Sequence, residues 1–114
     1  MFGQKGEAAA ARYYLDRGCR LLAHNYRTRM GELDLVLMEG ETVVIAEVKA
    51  RSETRRGPAA GAVGPAKQRR IILAAQRFLQ QSGLSEHPVR FDVVEVTPAE
   101  GGLLVHCIRS AFEL

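Results

Sequence analysis

Three charged residues interrupt two apolar, strand-like runs, and their spacing would bring two carboxylates and an ammonium together. Asp34 lies within Gly31-Glu32-Leu33-Asp34-Leu35-Val36, and Glu47 and Lys49 lie within Ile45-Ala46-Glu47-Val48-Lys49. The intervening Met38-Glu39-Gly40-Glu41-Thr42 reads as a turn with glycine at its centre. A hairpin whose loop spans an even number of residues about Gly40 and Glu41 sets position 34 across from position 47. Lys49 shares the face of Glu47, because side chains repeat every two residues along a strand. Opposed carboxylates repel, so each either loses its charge through a raised pKa or keeps it by sharing a cation. A hard divalent ion, Mg2+ or Mn2+, is the simplest such cation. The lysine could then meet a phosphate or steady the water that attacks it. Each residue also has an ordinary reading: Asp34 could bind a turn amide, and Glu47 and Lys49 could line the exposed face of an edge strand. Residues 43–48 are otherwise continuously apolar, however, which suits a buried strand, and an ion there needs a partner or a purpose.

The elements that would hold these groups follow from periodicity. Residues 4–17 predict a helix with Ala8, Ala11 and Leu15 as its apolar stripe and Gly18 as its stop. Glu7 falls near that stripe's edge, in line with Ala11 and Tyr14, and could point inward. Residues 21–26 predict a short strand, followed by the basic Arg27-Thr28-Arg29. Residues 51–64 hold three glycines, one proline and few large apolar side chains, which predicts a mobile loop. A second helix is expected from Pro65 to about Gln81, before Gly83, with Ile71, Ile72, Ala75, Phe78 and Leu79 as its buried face. Gln68 falls on that face one turn earlier, and Arg70 and Arg77 on the opposite one. A strand over residues 89–96, a turn over 97–102 and a strand over 103–108 complete the chain. Helix, strands, helix, strands predicts an α/β fold with a mixed central sheet flanked by helices.

At 114 residues and 46% hydrophobic composition, the chain is expected to form one domain over residues 1–114. No run approaches the roughly 18 apolar residues of a membrane helix, and the start lacks a secretory apolar region, so the protein reads as cytoplasmic. Cys19 and Cys107 stand far apart, and neither they nor His24, His87 and His106 have metal-ligand spacing, so neither a disulfide framework nor a zinc site is expected. No serine or cysteine nucleophile motif and no glycine-rich phosphate loop is present. The net charge of +3 is unevenly placed: residues 49–70 carry seven bases against one acid, Glu53, while the rest of the chain carries nine bases and twelve acids. Such localised charge beside a candidate metal site favours a polyanionic partner, against the plainer reading of a solvated basic face. The low aromatic content argues against a base-stacking platform.

Gly6-Glu7 with Ala10, Asn25 through Val36, Glu47-Val48-Lys49-Ala50-Arg51, Lys67, Arg90-Phe91-Asp92-Val93-Val94 and Ala111-Phe112 together resemble the YraN-like family of small bacterial proteins. The resemblance covers nearly the whole chain. It implies the fold of the PD-(D/E)xK nucleases, similar to archaeal Holliday-junction resolvases and restriction endonucleases. It would make Asp34 and Glu47 the metal-binding carboxylates and Lys49 the motif lysine. Glu7 would be the N-terminal helix glutamate of resolvase-like members, and Gln68 the helix glutamine placed near the site. Leu33 stands where the motif's name has proline, and Arg56-Gly57-Pro58 departs from a family loop that more often has an aromatic residue before the glycine.

The expected function is therefore a Mg2+- or Mn2+-dependent phosphodiesterase acting on DNA, branched or otherwise structured. Asp34, Glu47 and the Val48 carbonyl would hold the metal, and Glu7 would complete its shell or hold a second ion. Lys49 would orient the attacking water and Gln68 would position it. Arg29, Arg51, Arg55, Arg56, Lys67, Arg69 and Arg70 would track the nucleic-acid backbone. The alternatives are a non-catalytic nucleic-acid-binding protein that retains the nuclease fold, and an interaction module that forms a homodimer through a sheet edge.

Overall fold

Gly40 starts the two-residue loop on which the sheet is centred. Its φ of 58° lies in the left-handed region open to glycine, and it lets Glu39 pair directly with Thr42. The computed structural model describes residues 2–50 and 63–113, with side chains from residue 6 onward. The element order is α1 (Phe2–Leu15), β1 (Arg20–Arg27), β2 (Glu32–Glu39), β3 (Thr42–Ala50), α2 (Pro65–Ser82), β4 (Val89–Ala99) and β5 (Gly102–Phe112). The five strands form one sheet in sequence order, antiparallel except for the parallel β3–β4 pair. One helix lies on each face, an architecture compatible with the restriction endonuclease-like fold expected from the resemblance. No helix among the described residues is long and apolar enough to cross a membrane.

The two faces of β3 are both buried, which is why its sequence reads as a continuous apolar run. Val43 and Ile45 pack under α2 with Ile71, Ala75 and Phe78, while Val44 and Ala46 pack under α1 with Ala10 and Tyr14. Each buried valine, isoleucine or phenylalanine here contributes about 1.5–3 kcal/mol, the alanines less. α2 begins with Pro65 in its first turn and ends at Gly83, whose φ is 70°. Its buried face matches the expected one except that Ala74 is buried and Ile72 only half-buried.

Two expectations are corrected. The buried stripe of α1 is Gly6, Ala10 and Tyr14, whereas Ala8 is exposed and Leu15 is 45% exposed. Alanines on several sides left the phase of this helix to be set by its one large inward group. Tyr14 buries its ring and donates its hydroxyl to Asp92 Oδ2 at 2.8 Å. The last hairpin is also longer than expected, because β4 runs through Thr97 and Pro98 to Ala99 and β5 starts at Gly102. Ala50, opposite Val96, is the last pair of β3 with β4, so among the described residues no strand on that side of Pro98 needs its missing N–H.

Asp92 ties α1 to the sheet. It is fully buried on β4 and accepts from Tyr14, from Arg90 Nε at 3.0 Å and from the Ser110 amide at 3.0 Å. Arg90 is also paired with Glu39. Burial works against the Arg90 charge, but hydrogen bonds to Asp92 and Glu39 outweigh it and hold its pKa above the usual value. The same tie fixes the rotation of α1, and with it the direction of Glu7 two turns earlier on the same helical face.

Candidate metal and nucleic-acid site

The β2–β3 ladder has Leu35↔Ala46 as its last pair, and the same register carried one residue further sets Asp34 against Glu47. Here a side chain continues what the backbone began: the Val48 amide donates to Asp34 Oδ2 at 2.8 Å, which keeps that carboxylate next to Glu47. The strand is wrung at this point. Leu33 belongs to the core under α2 and Leu35 to the core under α1, although residues two apart in a regular strand share a face. On the neighbouring β1, Asn25 lies between the pairs His24↔Leu35 and Tyr26↔Leu33, beside Asp34, with a left-handed φ of 51°. Local distortions of this kind re-aim side chains at the rims of sheets.

Asp34, Glu47 and Val48 open onto a cavity of about 610 Å³. Glu7 of α1 and Lys67 and Arg70 of α2 also line it, as does the turn 28–31 between β1 and β2. That turn is tightly held. The Thr28 amide donates to the Gly31 carbonyl at 2.8 Å, and Thr28 Oγ1 accepts from the Met30 and Gly31 amides. A Cβ on Gly31 would lie 2.8 Å from the Arg70 carbonyl oxygen, so glycine is what lets the turn sit against α2.

Charge is concentrated where water is scarce. Glu47, with its side chain 8% exposed, receives Lys67 Nζ at 2.9 Å. Burial, and next the neighbouring Asp34 charge, push the Glu47 pKa up to about 7. Burial likewise raises that of Asp34, against the opposing pull of the Val48 amide. The hydrogen bond to Glu47 raises the pKa of Lys67. Two neighbouring acids that resist ionisation beside a cavity are what a hard dication would relieve. Among the described residues no three His, Cys, Asp or Glu side chains form a ready metal cage. Carboxylate and carbonyl oxygens are the donors that Mg2+ or Mn2+ takes, usually one or two from the protein with water and substrate phosphate completing the shell.

The sequence-derived residues are distributed as follows. Glu7, Asp34, Glu47 and Val48 line the cavity together, with Arg29, Lys67 and Arg70 on its wall. Lys49, half-buried and two residues beyond Glu47 on β3, is not part of that wall. Gln68 donates to the Val63 carbonyl at 2.6 Å, tying down the start of α2, and neither it nor Arg69 lines the cavity. Arg51, Arg55 and Arg56, and the loop 51–64 as far as residue 62, fall outside the described residues. The ammonium on Glu47 belongs to Lys67, a contact across 20 positions that no strand period signals. Thr28 and Gly31 were also missed as shapers of the site, although Thr-x-x-Gly between two strands is a turn signal.

Comparison with known proteins places these residues in a family. The family model described as "Uncharacterised protein family UPF0102" matches residues 6–96. A UPF0102 protein of Stutzerimonas stutzeri is 46% identical over 112 residues, covering 97% of this chain and 93% of the relative. One from Pseudomonas fluorescens is 44% identical over 113 residues, with 97% and 92% covered, and one from Nitrosococcus oceani is 41% identical, with 98% and 91% covered. The match spans the helix that carries Glu7, the Asp34–Glu47 hairpin, Lys67 and the Asp92 tie, and bears out the YraN-like resemblance: this chain belongs to the UPF0102 family.

Proposed function

We propose that the protein is a divalent-metal-dependent phosphodiesterase acting on DNA, with branched DNA among its substrates. The observation that carries this reading is the pair of half-buried Asp34 and buried Glu47 lining a cavity with Arg27, Arg29, Lys67 and Arg70. Asp34, Glu47 and the Val48 carbonyl would hold the ion, with Glu7 reaching it from α1. A bound divalent ion supplies charge neutralisation at a phosphate and a more acidic water. Lys67 keeps Glu47 oriented and offers a cation at the point where a phosphate would enter. Arg29 and Arg70 bind backbone phosphates on either side, which gives affinity more than sequence choice. Lys49, two residues beyond Glu47 on β3, would steady the attacking water once substrate is seated. The basic wall suits a nucleic acid better than a small phosphate ester, because it extends over the β1–β2 turn and along α2.

The test is cleavage and binding of single-stranded, duplex, flap and four-way-junction DNA with Mg2+ or Mn2+, for the native protein and for Asp34→Ala. Metal-dependent cleavage that Asp34→Ala reduces by about 10²-fold or more is expected. Binding without cleavage on every substrate would replace this reading with that of a non-catalytic nucleic-acid-binding protein. Absence of both would overturn the two together.

A further inference from the structure

The turn 28–31 has a second side. Arg27, Thr28, Arg29 and Met30 line the acid cavity and also a separate cavity of about 430 Å³, completed by Tyr26, Arg77 and Gln81. The two differ in charge. Glu7, Glu32, Asp34 and Glu47 line the first, whereas among the described residues the second is lined by three arginines and no acid. Its floor is fixed by the core: the Tyr26 hydroxyl donates to Gln81 Oε1 at 2.5 Å, and the Tyr26 ring meets Phe78 edge-on at 5.2 Å. Its divider is the same turn that Thr28 and Gly31 hold against α2.

We infer that this second cavity is a phosphate subsite for the DNA strand that continues from the acid cavity, with Arg77 as its far anchor and Arg27 and Arg29 on its near wall. This rests on the proposed nuclease reading and adds a location to it. Arg70 lines the first cavity and Arg77 the second, seven residues apart on one face of α2. At 1.5 Å rise per residue that is about 10 Å along the helix. The phosphate held by Arg77 is thus a different one of the strand from the phosphate held by Arg70. Arg27 is free to serve either side, since its contact with Glu32 is 3.5 Å long between largely exposed side chains and holds it weakly. The planar guanidinium, which offers several donors in a fixed fork, suits a phosphate that is bound rather than cut.

The test compares Arg77→Gln with Arg77→Lys and with Arg12→Gln, a charge-matched control on α1 whose arginine is paired with Asp16 at 3.3 Å. Binding of a fluorescent four-way junction and of a single strand is measured by anisotropy over a series of salt concentrations. The expected result for Arg77→Gln is a three- to tenfold loss of affinity at low salt, with the log–log salt slope shallower by about 0.7–0.9. Arg77→Lys should keep most of the slope, and Arg12→Gln should match the native protein. If Arg77→Gln weakens binding or flattens the slope no more than Arg12→Gln does, the subsite is overturned while the nuclease reading stands. If the native protein binds no DNA even at low salt, the reading beneath it fails as well.

Discussion

Replacing Lys67 by methionine should move the titration of Glu47 and make the cost of its charge grow with pH. The 2.9 Å contact joins an ammonium whose side chain is 48% exposed to a carboxylate that is 8% exposed. Hydrogen bonds to charged groups contribute about 1.5–3 kcal/mol, and the half-exposed partner puts this one at the low end. About 1.5 kcal/mol corresponds to roughly one pKa unit, so the Glu47 midpoint should rise from about 7 to roughly 8. Because the native pKa lies above the ordinary glutamate value of 4.5, the stability Glu47 contributes is full below that value and is lost as pH rises through 7. In Lys67→Met the loss continues to about 8. The difference in unfolding free energy between the two proteins should therefore be flat up to about pH 6.5 and grow by about 1.5 kcal/mol by pH 9. Carboxyl-carbon NMR titration and urea unfolding at matched pH values measure the two quantities. An unmoved Glu47 midpoint, or a stability difference that does not change with pH, would refute the assignment of Lys67 as its counter-ion.

Lys49→Ala should lower cleavage by about 10²-fold with little change in DNA affinity, because the proposed role lies in the transition state; a fall in affinity of the same size would mark Lys49 as a binding group. Tyr14→Phe removes one charge-assisted hydrogen bond from buried Asp92 and should cost about 2 kcal/mol in urea unfolding, while a variant as stable as the native protein would show that Arg90 and Ser110 alone satisfy that carboxylate. Gly31→Ala puts a methyl group 2.8 Å from the Arg70 carbonyl and should destabilise the fold by about 1–3 kcal/mol, which thermal unfolding checks; no loss would mean that the turn is not held against α2.

The approach of Asp34 to Glu47 was legible because it needs only parity: a two-residue loop at Gly40-Glu41 fixes the register, and a period of two does the rest. What was not legible depends on partners distant in sequence. The wringing of β2 at Asp34 accompanies the left-handed Asn25 on a neighbouring strand, and nothing in the local Leu33-Asp34-Leu35 pattern announces it. Similarly, the phase of α1 is set by Tyr14 reaching Asp92, 78 residues away. Alanine-rich helices give weak phase information, since small side chains lose little by facing either way. The C-terminal hairpin extends through the turn expected over residues 97–102, where Pro98 pairs with Leu103 beyond the last described β3 partner, Ala50.

Both outer strands of the sheet carry a non-glycine residue in the left-handed region, Asn25 in β1 and Ser110 in β5, and each strand has a shift in its pairing register, between Leu21 and Ala23 in β1 and at Ser110 in β5. Arg20 and Arg27 also put a cation at each end of β1. A sixth strand, whether from a second copy or from a partly unfolded chain, would meet a kinked and charged border instead of a straight row of unpaired amides and carbonyls. The irregularity that aims Asp34 on one side, and the one that seats the Ser110 amide on Asp92 on the other, thus also border the sheet that the described residues form. A chain this rich in valine and leucine strands is in that way guarded against edge-to-edge aggregation.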